Sequence, residues 1–523
     1  MSIARALLPF VLIAATVAGG VPTESRASDP CARRLSLRRA GDGVASERFR
    51  SLCPGRARAS RPSGVSTPTI EGPITTGDGP FVSGTAFDLA DVGYEQAEYF
   101  ISGTARSYVN VGALESDGRF EVAPADAAAY KTRILVYRPI NPRDFNGTVA
   151  VEWLNVSGGL DAAPDWITAH TEMIREGYVW VGVSAQFVGV ESESSLAPGL
   201  GGLKIVDPVR YGSLVHPGDS FSYDMFAQAG QAVREPGDVD PLGGLVPRRV
   251  LALGESQSAF RLVTYINALD HIDRVYDGYF VHSRGGGGAP LSQEPQATVN
   301  LPPVVRFRSD LRVPVMLFQT ETDLVLLGYL PDRQPDGPLF RLWEAAGTSH
   351  ADTYTLGVGF SDQGGDPSVA EVVEVSSPIP GIIDCAKPVN SGPQHFLVKA
   401  SLHALERWVR LGVPPPRAPR LQLSGDDFVT DELGNVRGGI RTSYVDAPVA
   451  TLSGLGQEGG GFCFIFGTTD LFDEATLDSL YPDHASYVAA VGAATDRAVR
   501  QRFLLRPDAA LIKQQAEESD IGR

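Results

Sequence analysis

Cysteine is scarce in this chain, and so is positive charge. The 523 residues include only four cysteines, and none of them forms a C-x-x-C pair. A fold built on disulfides needs far more cysteine, and a zinc clip needs closely spaced pairs, so both classes are excluded. The 45 Lys and Arg residues against 62 Asp and Glu residues give a formal net charge of −17. Because acidic surfaces repel phosphate, this composition argues against a nucleic-acid partner.

Long apolar runs are also missing, except at the N-terminus. Arg5 precedes an apolar stretch, residues 6–21, which is interrupted by a proline and by a glycine pair, and the small residue Ala27 follows. A membrane-spanning helix would need about 20 apolar residues without such breaks. The pattern predicts a signal peptide over residues 1–27, and therefore a secreted or periplasmic protein without stable membrane insertion after cleavage.

Export makes the cysteines candidates for disulfides, since such bonds persist in oxidising compartments. Cys31 and Cys53 lie in one region, and Cys385 and Cys463 lie in another. We expect these two pairs, although the spacing alone leaves the other two pairings open.

The rest of the composition is that of a globular protein, with 43% hydrophobic and 20% charged residues. Residues 28–80 are Arg-rich and then rich in Gly, Pro and Thr, which indicates a flexible arm and a linker. Residues 81–442 are expected to form one large domain. Residues 443–523 are expected to be a C-terminal extension packed on it.

Strand and helix patterns alternate through the large domain. Several strand-like runs are continuously apolar, as in strands buried on both faces of a parallel sheet. The predicted strands cover residues 94–108, 133–138, 148–154, 178–183, 249–253, 276–282, 313–319 and 340–345; the predicted helices cover residues 166–176, 222–233, 257–268 and 395–410. The alternation predicts a mostly parallel sheet with helices on both faces. Two long connections, residues 184–220 and 351–393, are expected to be cap-like insertions.

The stretch RRVLALGESQSAFRLVTYINA, residues 248–268, contains a candidate nucleophile. A short buried strand runs into Gly254, Ser256 follows on a sharp turn, and a helix begins at once, which is the context of a nucleophile elbow. Ser258 replaces the second glycine of the usual G-x-S-x-G motif. The backbone N–H of Gln257 would point toward the oxyanion of the reaction.

A serine nucleophile needs a base and an acid. Of the eight histidines, His350 follows the last predicted strand and a Gly-Thr-Ser turn, whereas His395, at the start of the next helix, is the reserve candidate. Asp323 follows the strand at residues 313–319, and Glu321 is the alternative acid. The small residues after the strand at 148–154 suggest a second oxyanion donor, the N–H of Val156 or of Ser157.

The sequence motifs do not support a bound cofactor or metal. Residues 454–459 satisfy G-x-G-x-x-G, but more glycine and an apolar run follow instead of a helix. The chain has no G-x-x-x-x-G-K-[ST] and no H-E-x-x-H motif. We predict no cofactor and no metal.

Seven segments together resemble one family. They are VEWLNVSGGLDAAPDW (151–166), REGYVWVGVSAQ (175–186), HPGDSFSYDMFAQAG (216–230), LGESQSAFRLVTYINA (253–268), FQTETDL (318–324), AGTSHAD (346–352) and residues 388–415. The chain is similar to the "alpha/beta hydrolase domain" proteins over residues 94–481. The resemblance implies the α/β-hydrolase fold and a triad of Ser256, Asp323 and His350, in the chain order typical of that fold. It implies no particular substrate.

The residues therefore predict an exported serine hydrolase that cleaves carboxylic esters, with a small-molecule ester as its partner. Amidase, lactonase or acyltransferase activity would use the same triad, and a non-catalytic binding protein on this fold is a further alternative. Dehalogenases and epoxide hydrolases need a carboxylate nucleophile, and residue 256 is serine. The oligomeric state is not predicted.

Overall fold

Nine strands form one sheet in the computed structural model, which describes residues 64–523. The strands are β1 (Thr69–Glu71), β2 (Tyr94–Asn110), β3 (Val122–Pro139), β4 (Thr148–Trp153), β5 (Val179–Val183), β6 (Arg249–Glu255), β7 (Gly278–His282), β8 (Val315–Gln319) and β9 (Phe340–Glu344). Their order is β1-β2-β3-β5-β4-β6-β7-β8-β9. Strands β4 to β9 pair in parallel, and β1 to β3 add an antiparallel edge.

The helices connect these strands and continue beyond them. They are α1 (Pro164–Arg175), α2 (Phe187–Glu191), α3 (Leu203–Val206), α4 (Pro208–Tyr211), α5 (Ser222–Arg234), α6 (Gln257–Ala268), α7 (Asp270–Asp273), α8 (Glu321–Val325), α9 (Thr353–Leu356), α10 (Gln394–Leu411), α11 (Ser443–Asp446), α12 (Glu474–Leu480), α13 (His484–Gln501) and α14 (Arg506–Glu518). The eight predicted strands correspond to β2–β9, and the four predicted helices correspond to α1, α5, α6 and α10.

Successive side chains of the central strands point to opposite faces of the sheet, which explains why helices cover both faces. Val250 and Ala252 of β6 belong to the apolar cluster that contains residues of α5 and α6. Leu251 and Leu253 point the other way, into a cluster with residues of α1 and α10. Successive strand side chains face opposite sides of a sheet, so a continuously apolar strand needs cover on both. The predicted fold class, a mostly parallel sheet between two helical layers, is confirmed.

The parallel direction decides where the site lies. Because β4 to β9 all run the same way, the residues that follow each strand gather at one edge of the sheet. Asn155, Ser256 and Thr320 lie on such connections, after β4, β6 and β8 respectively. Ligands in open α/β sheets bind beyond this edge.

Part of the segment that the sequence predicts to be a linker, up to residue 80, forms a strand at the antiparallel edge of the sheet. Residues 69–71 form β1, and Ile70 pairs with Ile101 of β2. Ile70 is buried in the core, which is why this segment joins the sheet. The insertion at residues 184–220 also has more structure than a plain loop, since it contains α2, α3 and α4.

The C-terminal extension packs on the large domain. Residues of α11, α13 and α14 form an apolar cluster with Phe396 of α10. Two short strands, β12 (Ala450–Ser453) and β13 (Thr468–Leu471), form an antiparallel pair, and β10 (Leu423–Ser424) pairs with β11 (Asp427–Phe428).

A disulfide joins Cys385 to Cys463, which confirms the predicted pairing of these two residues. Cys463 lies in an apolar cluster with Ala351, the residue that follows His350. The disulfide therefore ties the extension to the insertion at residues 351–393 next to the candidate base.

Some predictions concern residues outside the described part of the chain. The signal peptide, most of the Arg-rich arm and the pair Cys31–Cys53 all precede residue 64. Among residues 64–523, no helix combines the length and the apolar character that crossing a membrane requires.

The disulfide should contribute measurably to stability. It closes a sequence separation of 78 residues, and on the chain-entropy model such a loop corresponds to roughly 4 kcal/mol. Replacing Cys385 and Cys463 together by serine should lower the unfolding free energy by about that amount, measured by denaturant titration. Peptide mapping without reductant should recover the cross-link; two free thiols would contradict the assignment.

Candidate active site

The turn after β6 holds Ser256 in a strained backbone conformation. Its φ is 56° and its ψ is −120°, a region that residues with a side chain rarely occupy. The N–H of Ser256 donates to the carbonyl of His282 at 2.9 Å, and α6 begins at the next residue. This strand–turn–helix geometry is that of the predicted nucleophile elbow, and Ser256 is half-buried rather than enclosed.

The neighbours of Ser256 explain the composition of the motif. A Cβ at Gly254 would lie 3.0 Å from Leu262 and 3.1 Å from the carbonyl of Ser258, so a side chain there would press on α6. Ser258 is fully buried, and its hydroxyl donates to the carbonyl of Leu154 at 3.2 Å. A small residue with a satisfied hydroxyl can therefore stand where the motif usually has glycine.

Three side chains from different connections form one chain of hydrogen bonds. Nε2 of His350 lies 2.7 Å from Oγ of Ser256, and Nδ1 of His350 lies 2.7 Å from Oδ1 of Asp323. Asp323 lies on α8 after β8, and His350 lies on the connection after β9. The structure thus brings together the three residues that the sequence singled out, in the arrangement of a Ser-His-Asp triad.

Asp323 is fixed on both sides of its carboxylate. Its Oδ2 accepts the N–H of Thr320 at 2.7 Å, while the Thr320 hydroxyl accepts the N–H of Asp323, which closes a capping box at the start of α8. The same carboxylate therefore caps a helix and faces the imidazole.

Glu321, the alternative acid, faces away from the imidazole. Its Oε1 accepts the N–H of Gly347 at 2.7 Å, and its Oε2 accepts the N–H of Gly454 at 2.8 Å. Glu321 is fully buried, and burial raises the pKa of its carboxyl to about 7. Its position links the connection before His350 to the C-terminal extension.

His395, the reserve base, lies in the core instead of at the elbow. Its ring stacks on Tyr354 with centroids 3.8 Å apart, and neither ring nitrogen has a hydrogen-bond partner within the described residues. Burial holds the pKa of His395 well below its usual value. An imidazole enclosed in this way cannot exchange a proton with Ser256.

The electrostatics of His350 follow from its two carboxylate neighbours. Burial alone would lower the pKa of this imidazole, but the hydrogen bond to Asp323 and the charges of Asp323 and Glu255 raise it above the usual value. His350 is thus held where it can accept a proton from Ser256 and keep it while charge develops.

Two of the three predicted oxyanion donors are free. Among residues 64–523, the N–H groups of Gln257 and Val156 have no acceptor. The N–H of Ser157 instead donates to Oδ1 of Asn155 at 2.8 Å, so the prediction for Ser157 does not fit this geometry. Gln257 and Val156 are the remaining pair.

Sequence reasoning missed two groups at the site. Glu255 occupies the variable position between Gly254 and Ser256 in the motif, and its Oε1 lies 3.4 Å from Nε2 of His350. A lone acid at the end of the apolar strand RVLALGE was the available signal. His282 is buried behind the elbow with Nδ1 2.9 Å from Oδ1 of Asp165, and burial lowers its pKa to about 4.

Within the described chain, one group of side chains has metal-ligand spacing: Glu172, Glu176 and His403. Nδ1 of His403 already lies 2.8 Å from Oε1 of Glu172 in a hydrogen bond. The group lines a cavity of about 560 Å³ between α1, α10 and the C-terminal helices, and no triad residue lines this cavity. It is therefore separate from the candidate active site.

The sequence profile described as "Alpha/beta hydrolase domain" matches residues 70–514. This chain belongs to the alpha/beta hydrolase domain family. The family assignment makes the protein a hydrolase by membership, and it agrees with the resemblance seen in the sequence motifs. No curated protein matches the sequence.

Solved structures similar to this alpha/beta hydrolase domain protein are distant. A serine hydrolase without a lid from Xanthomonas campestris has 13% identity and a TM-score of 0.26, with 42% of this chain and 80% of that one covered. Fungal esterases from Rhizomucor miehei have 13% identity and a TM-score of 0.23, with 47% of this chain and 74% of the esterase chain covered. A thermostable esterase from Pseudomonas putida has 13% identity and a TM-score of 0.22, with 45% of this chain and 66% of the esterase chain covered.

The two histidine candidates can be separated by mutation. His350→Ala should reduce the rate of hydrolysis about as strongly as replacement of Ser256, because the two groups are expected to act as a unit. His395→Ala should leave the chemistry intact and lower stability, since it removes a stacked ring from the core. Steady-state kinetics of both variants, with thermal unfolding, would check this. An inactive but folded His395→Ala protein would contradict the assignment of His350.

Glu321 should make stability depend on pH. Its folded pKa of about 7 lies above the ordinary 4.5, so the ionised carboxyl destabilises the fold increasingly as pH rises from about 4.5 to 7. This contribution is on the order of 3 kcal/mol. Urea unfolding of Glu321→Gln should show a shallower loss of stability across that window than the wild type. Parallel curves for the two proteins would contradict this interpretation.

Proposed function

We propose that this protein is an exported serine hydrolase that cleaves carboxylic esters through an acyl-enzyme. The observation that carries the proposal is the continuous hydrogen-bond chain from Ser256 through His350 to Asp323, placed at a strained elbow. A binding protein has no need for a nucleophile, a base and an acid in this order.

In the first step, Oγ of Ser256 attacks the ester carbonyl while Nε2 of His350 takes the hydroxyl proton. Asp323 accepts the Nδ1–H hydrogen bond, which keeps Nε2 as the proton acceptor and stabilises the imidazolium that forms. The N–H groups of Gln257 and Val156 are free to stabilise the oxyanion of the tetrahedral intermediate. The imidazolium then gives its proton to the leaving alcohol, and the acyl group stays on Ser256.

In the second step, water attacks the acyl-enzyme. His350 again takes a proton, now from the water, and returns it to Oγ of Ser256 as the acid leaves. The half-buried position of Ser256 allows substrate and water to reach it, whereas His350 and Asp323 are enclosed. The enclosure strengthens their mutual hydrogen bond because few waters compete for it.

Export is supported by two independent features. The first 27 residues have the composition of a secretory signal. The bond between Cys385 and Cys463 is of a kind that persists in secreted and periplasmic proteins and is rare in the cytosol. Both features fit a hydrolase that works outside the cytoplasm.

The nucleophile is tested with a matched pair of serine variants. Ser256→Ala should reduce hydrolysis of a neutral aryl ester by about 10⁴ to 10⁶ and abolish labelling by a fluorophosphonate. Ser258→Ala is the control, because its hydroxyl donates to a backbone carbonyl and does not face the base. Circular dichroism of both variants checks the fold. Hydrolysis by Ser256→Ala at the wild-type rate would refute the proposal.

A further inference from the structure

Glu255 is a buried carboxyl at the site to which the triad mechanism gives no role. It is the last residue of β6 and directly precedes Ser256, and it is only 6% exposed. Its Oε1 lies 3.4 Å from Nε2 of His350, the atom that also lies 2.7 Å from Oγ of Ser256. The carboxyl therefore reaches the nitrogen that must carry the proton during the reaction.

The direction of this carboxyl is fixed by its other neighbour. Nδ2 of Asn155 donates to Oε2 of Glu255 at 3.1 Å and to the carbonyl of Glu255 at 3.2 Å. Asn155 in turn is anchored by the N–H of Ser157. With Oε2 occupied by an amide, Oε1 is the oxygen left to face the imidazole.

We propose that Glu255 is a second carboxylate partner of the base, which accepts a hydrogen bond from Nε2 of His350 once the Ser256 proton has moved there. This role rests on the proposed function. Asp323 would stabilise the imidazolium at Nδ1, and Glu255 would stabilise it at Nε2.

The contact favours the transition state over the resting state. In the resting enzyme Nε2 has no proton, because it accepts the hydrogen bond of the Ser256 hydroxyl, so an ionised Glu255 gains nothing there. When the proton transfers, Nε2 becomes a positively charged donor directly beside Oε1. An interaction that is strong only when the imidazolium exists raises kcat rather than tightening substrate binding.

The charges around Glu255 decide when it is ionised. Burial raises the pKa of its carboxyl to about 7; His350 and His282 work against this rise, and Asp165 and Asp323 add to it. Glu255 is therefore neutral below about pH 7 and negatively charged above it. Its ionised form also helps to raise the pKa of His350.

A specific pH dependence follows. As pH falls, the enzyme loses activity by protonation of His350 and also by protonation of Glu255, so the acid side of the profile contains two ionisations. Removing the charge of Glu255 leaves one ionisation. It also moves that ionisation to lower pH, because the imidazole loses a neighbouring negative charge.

The test compares wild type with Glu255→Gln, which keeps the shape and an acceptor for Asn155 but has no charge. With a neutral aryl ester, the plateau kcat above pH 8 should fall about 10- to 100-fold, as expected for one charge-assisted hydrogen bond, with KM nearly unchanged. The acid side of the kcat/KM profile should change from two ionisations to one, displaced to lower pH.

Asp273→Asn is the matched control. Asp273 is another buried carboxyl whose pKa burial raises to about 7, but it lies on α7, before the amino end of β7, and has no contact with the triad. Its variant should keep the wild-type kcat and both ionisations, which separates the role of Glu255 from a general effect of buried acids.

Several results would overturn the role of Glu255. One is a Glu255→Gln profile that superimposes on the wild type while Ser256→Ala is inactive, which would leave the proposed function standing. Hydrolysis that survives Ser256→Ala would remove the proposed function and this role together. If Glu255→Gln does not fold, the kcat/KM profile of the wild type is the test. A profile whose acid side fits a single ionisation would refute a second titrating carboxyl.

Discussion

The hydrogen bond between Ser256 and His350 is the constraint on which the arrangement of this protein depends. It joins two connections that leave the sheet after β6 and β9, strands separated by β7 and β8. A distance of 2.7 Å between side chains so far apart in the chain requires the register of four parallel strands to be fixed. The continuously apolar strands and the helices on both faces provide that rigidity, and the strain at Ser256 is tolerated because the surrounding core determines it.

The C-terminal extension belongs to the site as much as to the periphery. The hydroxyl of Thr322 donates to the carbonyl of Gly454 and accepts the N–H of His350, so this residue of α8 connects the extension to the connection that carries His350. The carboxylate of Glu321 accepts the N–H of the same Gly454 at 2.8 Å. Together with the disulfide at Cys463, these contacts hold the two triad connections from outside the sheet. These contacts of the extension therefore help to fix the position of His350.

Much of the site could be predicted from the sequence because its signals are local. The elbow is a strand, a small-residue turn and a helix in one continuous stretch around Ser256, and Asp323 and His350 each follow an apolar strand. The remainder depends on tertiary contacts that no local pattern encodes. In the sequence Glu255 is only one residue of the motif, and its contact with His350 exists only in the folded chain. Ser157 likewise has the sequence context of an oxyanion donor, but in the fold its N–H donates to Oδ1 of Asn155. Likewise β1 has three residues and no pattern of its own, and only pairing with β2 makes it a strand.

We propose above all that Ser256 is the nucleophile of an acyl-transfer reaction. The most direct measurement is mass spectrometry of the native protein after reaction with a fluorophosphonate, followed by tryptic mapping. Cleavage after Arg249 and Arg261 yields a peptide with two serines, Ser256 and Ser258. We expect one adduct per chain, on Ser256, and no adduct when the protein is denatured before labelling. An adduct on another residue, or no adduct on a folded protein that hydrolyses esters, would contradict it.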